Sequence, residues 1–276
     1  MTPIAKDEPA PFETKTVRGV RLRRDPAREA CFSVVQLHKD LLEQADNSPT
    51  ALRERLHRHM NTELQTLEIA SQSLADFDQA PWELRMELAR QAWDEARHVA
   101  MLLRRLREVG GRKGEFPIMN FDWSVSTMAS TLPARLALQN RTLEGGEMDL
   151  LRQLMVLWRE LGDVETAAMM EAILADEIQH VRFANRWLRR MGEENPRCLL
   201  DVINAMRFLR TVTDAFAPAA GETNALGVDL VSYNHTGTPP SVEDRRLAEF
   251  SEAEIIALLK EEGLGRFASA RTRPPA

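Results

Sequence analysis

Two five-residue segments carry the residue types best suited to chemistry. Each segment reads Asp-Glu-x-x-His, so Glu95 precedes His98 by three residues and Glu177 precedes His180 by three residues. On an α-helix, residues three apart lie on one face, and the carboxylate and imidazole of each pair could bind one metal ion. Carboxylate-rich sites with imidazoles suit iron or manganese, whereas structural zinc favours thiolates. The two segments therefore indicate a metal site.

The aspartate that begins each segment strengthens this hypothesis. A metal-bound imidazole usually donates its other ring N–H to a carboxylate, so Asp94 and Asp176 are expected to orient the two imidazoles. A third Glu-x-x-His pair, Glu54 with His57, has Arg53 in place of the aspartate. We therefore assign Glu54 and His57 to the surface or rim of their helix.

Helical periodicity dominates the chain and places both segments on long helices. Pro49 and Pro81 mark helix starts, and Gly110 and Gly111 mark a helix end. The predicted helices cover residues 26–46, 49–77, 81–109, 133–160, 164–190, 196–216 and 252–262. No segment shows the alternation expected of a strand.

Four of these helices form two hairpins, 49–77 with 81–109 and 133–160 with 164–190. The irregular segment 112–126 joins the hairpins and is long enough to run the length of a bundle. We therefore expect an all-α fold, a ferritin-like four-helix bundle with additional N- and C-terminal helices. The predicted regions are an extended segment, 1–25, the bundle with its flanking helices, 26–216, and a loop-rich segment with one short helix, 217–276.

Depth along each hairpin selects one further glutamate from each partner helix. The first turn lies near residues 79 and 80. Glu63 precedes this turn by about as many residues as Glu95 and His98 follow it. Glu63 then lies roughly 25 Å of helix from the turn, whereas Glu68 would lie about 7 Å nearer to it. Glu63 is therefore the predicted ligand from the first helix.

In the second hairpin the same reasoning selects Glu144, with Glu147 one turn closer to the loop. Glu147 is an additional ligand, a proton carrier, or a polar core or surface residue. His59 has the same alternatives, because it precedes Glu63 by four residues and faces the same way.

Gly145 and Gly146 follow Glu144 within a helix, where each glycine costs about 1 kcal/mol relative to alanine. Two explanations remain open. A π-bulge or loosened turn lets Glu144 change its coordination, or the glycines allow close packing of a neighbouring helix.

Composition excludes several functional classes. The formal net charge of -6 gives no electrostatic footprint for a nucleic acid. The polar first residues and the lack of a long apolar run predict a cytoplasmic protein that does not span a membrane. The only cysteines, Cys31 and Cys198, cannot build a disulfide framework or a thiolate zinc or rubredoxin-type iron site.

These residues resemble the ferritin-like superfamily, whose di-iron carboxylate members carry Glu, Glu-x-x-His, Glu and Glu-x-x-His on four helices. Within it, the chain is similar to the bacterial family called domain of unknown function 455. The resemblance runs from about residue 56 to residue 187 and does not cover the predicted N-terminal helix or the residues after about 217. It rests on residues 63–65, 94–98, 144–149 and 176–181. Asn61 stands where the family pattern has the histidine of His-x-Glu.

The expected function is a non-haem di-iron oxidoreductase, with a manganese/iron pair as an alternative. It would activate dioxygen or peroxide to hydroxylate, desaturate or N-oxygenate a small organic substrate. Its expected partners are that substrate, an electron-donating reductase or ferredoxin, and a second copy of the chain in a homodimer. Catalytic roles are expected for Glu144 and Glu147. The predicted metal ligands are Glu63, Glu95, His98, Glu144, Glu177 and His180.

Three alternatives stand beside this function. A rubrerythrin or ferritin-like protein would oxidise iron or destroy peroxide without an organic substrate, although the chain lacks the Cys-x-x-Cys module of rubrerythrin. A radical-generating subunit is disfavoured because the only tyrosine, Tyr233, lies in a predicted loop. A metal-free interaction bundle would leave six inward polar groups at one depth without partners.

Overall fold

The computed structural model describes residues 12–230 and 239–260, which are mostly helical, in agreement with the all-α prediction. In chain order the elements are β1 Thr14–Val17, β2 Val20–Arg23, β3 Val34–Val35, a 3-10 turn His38–Asp40, α1 Pro49–Asp76, α2 Trp82–Glu108, β4 Ile118–Met119, α3 Phe121–Ser126, α4 Leu132–Leu136, a π-helical segment Ala137–Glu144, α5 Gly145–Glu160, α6 Val164–Glu194, α7 Cys198–Phe216, α8 Val242–Leu247 and α9, residues 252–260.

The first hairpin consists of α1 and α2, packed along their length. Ser48 caps α1, because its hydroxyl accepts a hydrogen bond from the Ala51 N–H at 3.2 Å, and Pro49 occupies the first turn. Residues 77–81 form the turn. The predicted helices 49–77 and 81–109 are therefore confirmed to within one residue at each end.

The second hairpin pairs α5 and the π-helical segment with α6. Asp163 caps α6, because its carboxylate accepts from the Thr166 N–H at 2.9 Å and forms an ion pair with Arg105 at 2.8 Å. The predicted helix 133–160 is interrupted by the π-helical segment, and α6 extends four residues beyond its predicted end at 190. The two hairpins meet where α2 packs against α6.

The N-terminal region contradicts two predictions. Residues 26–46 form no long helix; they contain β3 and the 3-10 turn. The reason is tertiary, since β3 pairs in parallel with β4 of the crossover, and Arg28 forms an ion pair with Glu68 of α1. The expectation of no strands is also wrong, because β1 and β2 form an antiparallel hairpin around Arg18 and Gly19, both at positive φ.

The C-terminal elements cover the second hairpin. α7 packs against α4 and the π-helical segment, as expected of a flanking helix at 196–216. α8, which the sequence did not predict, contacts α5 and α6. Residues 252–260 of the predicted helix 252–262 are helical, and its last two residues lie outside the described part of the chain.

The main apolar core fills the space between the two hairpins, on the side of the polar cluster nearer to the 161–163 turn. Its fully buried members include Leu56, Leu102, Met148, Leu151, Ile173 and Val181. A second core lies towards the turn at 77–81, with members that include Leu84, Leu88, Leu136 and Ala184. The polar cluster is thus held between two apolar layers.

Across the described ranges, 12–230 and 239–260, none of the helices combines the length and the apolar character that crossing a membrane requires.

Candidate metal centre

The six predicted ligands lie together between the hairpins. A first group comprises Glu63 of α1, Glu95 and His98 of α2, and Glu177 of α6. Each offers one ligand atom, and these atoms all lie within 4.8 Å of one another. All four side chains are buried, three of them completely. Depth along the hairpin therefore selected the α1 glutamate that lies in this group.

A second group comprises Glu95, Glu144, Glu177 and His180, whose ligand atoms also lie within 4.8 Å of one another. The two groups share Glu95 and Glu177. In both shared glutamates, the buried Oε1 accepts no hydrogen bond from the described residues. A buried carboxylate oxygen without a donor is costly unless a cation neutralises it. The arrangement therefore fits two adjacent cations bridged by the shared carboxylates.

Both imidazoles turn Nδ1 towards the carboxylates. His98 Nδ1 lies 3.1 Å from Glu63 Oε2 and from Glu95 Oε2. His180 Nδ1 lies 3.3 Å from Glu95 Oε1 and from Glu177 Oε2. A metal ion could therefore be bound through Nδ1 on each side, with Nε2 left to contact other groups.

The two aspartates contact the imidazoles in a crossed pattern. His98 Nε2 lies 3.1 Å from Asp176 Oδ2, and His180 Nε2 lies 3.5 Å from Asp94 Oδ2. Each aspartate thus faces the histidine of the other segment. Arg97 joins them, because its Nη2 lies 3.2 Å from Asp94 and 2.5 Å from Asp176. The pKa of each aspartate falls below its ordinary value: burial acts to raise it, but hydrogen bonds to imidazole and arginine outweigh that effect.

Glu144 is surrounded by side-chain amides that the sequence analysis did not identify. Asn140 donates to Oε2 at 2.9 Å, while Gln139 at 3.2 Å and Gln91 both donate to Oε1. Asn140 also donates to Gln91 Oε1 at 3.0 Å, which fixes both amides. All three amides are buried. In the sequence, these three amide residues are marked only by being polar at positions where the helical pattern predicts a buried core residue.

The π-helical segment explains part of this arrangement. A π turn brings residues five apart onto one side, and Gln139 precedes Glu144 by five residues. The two explanations proposed for Gly145 and Gly146 were a π-bulge and close packing against a neighbouring helix, and each matches part of the structure. The π-helical segment ends at Glu144, immediately before them. At Gly145 a Cβ would lie 2.7 Å from Arg245 Nη1, whereas at Gly146 it would meet nothing within 4 Å. Gly145 is therefore closely packed, and Gly146 faces open space.

A third group lies beside Glu63. His59 Nε2 is 2.9 Å from Glu63 Oε1 and 3.2 Å from Glu147 Oε1. Burial lowers the pKa of His59, but its contacts with Glu147 and Glu63 outweigh burial and raise the pKa to about 9. His59 and Glu147 are therefore neither surface residues nor isolated core residues.

The carboxylates of the cluster differ in how far neighbouring groups offset the effect of burial on their pKa. Burial acts to raise the pKa of Glu63, but the charge of His98 and the hydrogen bonds of His59 and His98 hold it well below its usual range. Burial raises the pKa of Glu144 to about 8 and that of Glu177 well above its usual range. Two divalent cations would carry a charge equal and opposite to that of four carboxylates, and such cations displace protons from their ligands. The donor set therefore fits a pair of divalent metal ions.

A cavity of about 720 Å³ lies between α1 and α5 and reaches the cluster. His59, Glu144 and Glu147 form its polar inner wall, and Gly146 lies beside them. Its apolar wall consists of Leu143, Leu150, Leu154 and Leu157. The remaining cluster ligands do not line it. A small molecule in this cavity would contact the Glu144 side of the cluster.

Two glutamates rejected as ligands lie outside the cluster, one of them unexpectedly buried. Glu68 forms a bidentate ion pair with Arg28 at 2.5 and 2.8 Å. Glu54 and His57 are buried at 1% and 0% exposure, so their assignment to a surface or rim is wrong. Arg58 donates to Glu54 at 2.9 Å, and His57 Nε2 accepts from the Gly114 N–H at 2.9 Å. The crossover, residues 112–126, covers this face of α1, and the helical pattern did not predict where this irregular segment would pack.

Comparison with models of protein families gives a match to the family described as "Protein of unknown function (DUF455)", over residues 6–224. The match extends well beyond the resemblance at residues 56–187 and includes the N-terminal region that the resemblance did not cover. Searches of curated proteins and of solved structures gave no match.

Proposed function

The chain belongs to the DUF455 family, whose description names no activity, and we therefore propose a function from the site itself. We propose that the protein is a non-haem di-iron oxidoreductase on a ferritin-like bundle, which activates dioxygen or peroxide to oxidise a small organic substrate. The two helical hairpins joined by a long crossover support the ferritin-like assignment.

One observation carries this proposal: two four-residue groups of potential ligands share Glu95 and Glu177, whose Oε1 atoms accept no hydrogen bond from the described residues. Shared carboxylates between two imidazole-containing groups are suited to a bridged pair of ions. Hard carboxylate oxygens with imidazole favour iron or manganese over metals that prefer thiolates.

Each residue of the cluster has a proposed role. Glu63 and His98 would hold one ion, Glu144 and His180 would hold the other, and the remaining ligands, Glu95 and Glu177, would bridge them. Asp176 and Asp94 would orient the imidazoles through Nε2 and keep Nδ1 directed inward. A bound iron pair would supply the electrons that dioxygen activation requires.

Access from the cavity assigns further roles. Glu144 and Glu147 lie where a substrate in the cavity would approach the cluster. Glu144 would shift its carboxylate between the amide donors and the metal. Glu147 would exchange a proton between the cavity and the cluster. The leucine wall would hold an apolar part of the substrate and exclude water from it.

The cavity favours an organic substrate over the rubrerythrin or ferritin-like alternative, because neither iron oxidation nor peroxide removal needs a wall of leucines. An external reductase or ferredoxin would return the electrons, and the proposed working unit is a monomer or a homodimer. A manganese/iron pair would fit the same ligands.

Metal analysis tests the proposal. Protein produced with iron is expected to hold about two iron ions per chain, and the double variant Glu95→Ala, Glu177→Ala is expected to hold none. The matched control is Glu83→Ala, Glu171→Ala, which removes one exposed glutamate from each of the same two helices. Circular dichroism checks that both variants remain helical. A fully helical wild-type protein without bound metal would refute the proposal.

Oxygen consumption then separates the two functional classes. The proposed enzyme should consume dioxygen faster when the correct organic substrate and an electron donor are present together. A ferritin-like protein would consume dioxygen in proportion to added ferrous iron alone.

A further inference from the structure

A third set of potential ligands lies next to the proposed metal pair. His59, Glu63 and Glu147 each offer one atom, and these atoms lie within 4.8 Å of one another. An imidazole with two carboxylates is a donor set suited to a divalent cation. His59 Nδ1 is buried and has no hydrogen-bond partner in the described residues, while Nε2 faces both carboxylates, so a cation bound there would take the place of the proton between them.

The two oxygens of Glu63 face different groups. Oε2 lies 3.1 Å from His98 Nδ1, within the cluster, while Oε1 lies 2.9 Å from His59 Nε2, on the side of the cavity. A carboxylate with this orientation can bind one cation through each oxygen. Glu63 therefore links the third group to the pair without turning its side chain.

The third group also lies on the access route to the cluster. His59 and Glu147 line the cavity of about 720 Å³, whereas Glu63, Glu95 and Glu177 do not. Glu144 of the pair also lines this cavity, so an ion that enters through it meets His59, Glu147 and Glu144 before it reaches the buried shared carboxylates. Electrostatic attraction would hold it there, since two carboxylates face it.

We propose that His59, Glu63 and Glu147 form a third divalent-cation site through which metal ions pass from the cavity to the buried pair. The site itself depends only on these three residues, and its loading role rests on the proposed function. It binds more weakly than the pair, because it has three ligands and opens to solvent on the cavity side.

Manganese titration tests the proposal. Equilibrium dialysis against Mn²⁺ is expected to give three ions per wild-type chain, two tight and one weaker. The variant His59→Gln, Glu147→Gln should bind two and should load them more slowly in stopped-flow mixing. The control Asp122→Asn removes a carboxylate from the wall of the same cavity but outside the group, and it should keep three. Glu147→Gln alone serves as the second variant if the double variant fails to fold.

The position of the ion is checked by anomalous diffraction at the manganese edge from crystals of the wild-type protein. A third peak between His59 and Glu147 is expected. Two ions in the wild-type protein, or three in the folded double variant, would overturn the third site and leave the proposed pair intact. A wild-type protein that binds no ion would overturn both the third site and the proposed function.

Discussion

The two halves of the cluster use equivalent ligands in different surroundings. Glu63 and Glu144 occupy matching positions on the first helix of each hairpin. Glu63 lies between two imidazoles, His59 and His98, and its pKa is lowered. Glu144 accepts hydrogen bonds from neutral amides, and burial raises its pKa to about 8. One pseudo-symmetric site therefore contains an ionised Glu63 and a Glu144 that readily takes up a proton.

This difference indicates that the two proposed metal positions are not interchangeable. α1 is an uninterrupted α-helix at Glu63, whereas Glu144 ends a π-helical segment next to the cavity. The amide-bound carboxylate of Glu144 lies on the side of the cavity, where a substrate would arrive. In the proposed function, the Glu63 half would therefore retain its ion, and the Glu144 half would change its coordination during turnover.

Removal of the shared carboxylates should abolish both halves together. For the variant Glu95→Gln, Glu177→Gln, we expect the loss of the Mn²⁺ stabilisation that the two paired sites provide, about 2.7 kcal/mol per site at 100 times Kd, so that only the smaller contribution of the weaker third site remains. Thermal unfolding with and without Mn²⁺ measures the effect. Stabilisation of the variant by Mn²⁺ as large as that of the wild-type protein would contradict the bridging role.

Removal of one terminal carboxylate should separate the halves. Glu144→Gln leaves Glu63, Glu95, His98 and Glu177 in place and should cost one ion. Glu63→Gln should cost two, because Glu63 also belongs to the third group. Dialysis against Mn²⁺ counts the ions. Equal losses in the two variants would mean that the halves are equivalent and would exclude the third site.

Loss of one amide should weaken only the Glu144 half. Gln91→Leu removes a donor to Glu144 and the acceptor for Asn140. Partners that orient a metal ligand typically contribute 10- to 100-fold to affinity, so we expect the weaker ion of the pair to lose roughly that factor. Calorimetric titration with Mn²⁺ provides the measurement, and Gln72→Leu, a half-buried α1 glutamine that donates to Asp76 outside the cluster, provides the control. An unchanged affinity would show that the amides do not position Glu144.

The stability that the helix caps contribute should depend on pH in the second hairpin, capped by Asp163, but not in the first, capped by Ser48. The pKa of Asp163 is lowered, because its hydrogen bonds and ion pair with Arg105 outweigh burial. Its contribution is therefore present above its unfolded pKa, near 4, and is lost as the pH falls through its lower folded pKa. Asp163→Ala should cost about 1 kcal/mol at pH 7 and much less at pH 2.

Ser48→Ala serves as the matched change on the first hairpin. It should cost a similar amount at both pH values, since the serine hydroxyl does not titrate in this range. Chemical denaturation at pH 7 and pH 2 measures both variants. A pH-dependent cost for Ser48→Ala would show that the caps do not account for the difference.

The two adjacent glycines should respond in opposite directions. Gly146→Ala should stabilise the protein by about 0.5–1 kcal/mol, because its Cβ meets open space in a helix. Gly145→Ala should destabilise it, because its Cβ would press on Arg245, which is held by Asp149 and the Gly145 carbonyl, each at 2.6 Å. Urea denaturation compares the two. Stabilisation by both changes would show that Arg245 can move away without cost.

The sequence was sufficient for the features that depend on local signals and helical depth. Pro49, Pro81 and the turn positions predicted the hairpin helices, and counting from the turn selected Glu63, which lies in the buried cluster, over Glu68, which does not. These predictions succeed because helix rise and capping depend on a few neighbouring residues.

Features that depend on distant contacts could not be predicted in this way. Residues 26–46 form a short strand and a 3-10 turn because of their contacts with the crossover and with α1. Distant contacts also determine the burial of Glu54 and His57, and the position of Gln91, which donates to Glu144 from the other hairpin. The π-helical segment has no sequence signature apart from the glycines that follow it.

The crossed contacts between Asp94 and His180 and between Asp176 and His98 have a consequence for assembly. A single hairpin would contain a histidine but would lack the aspartate that orients its imidazole. Correct ligand geometry thus arises only when α2 has docked on α6, so cation capture should report completed tertiary folding. An incompletely folded chain would offer carboxylates without oriented imidazoles and would compete poorly for scarce metal ions.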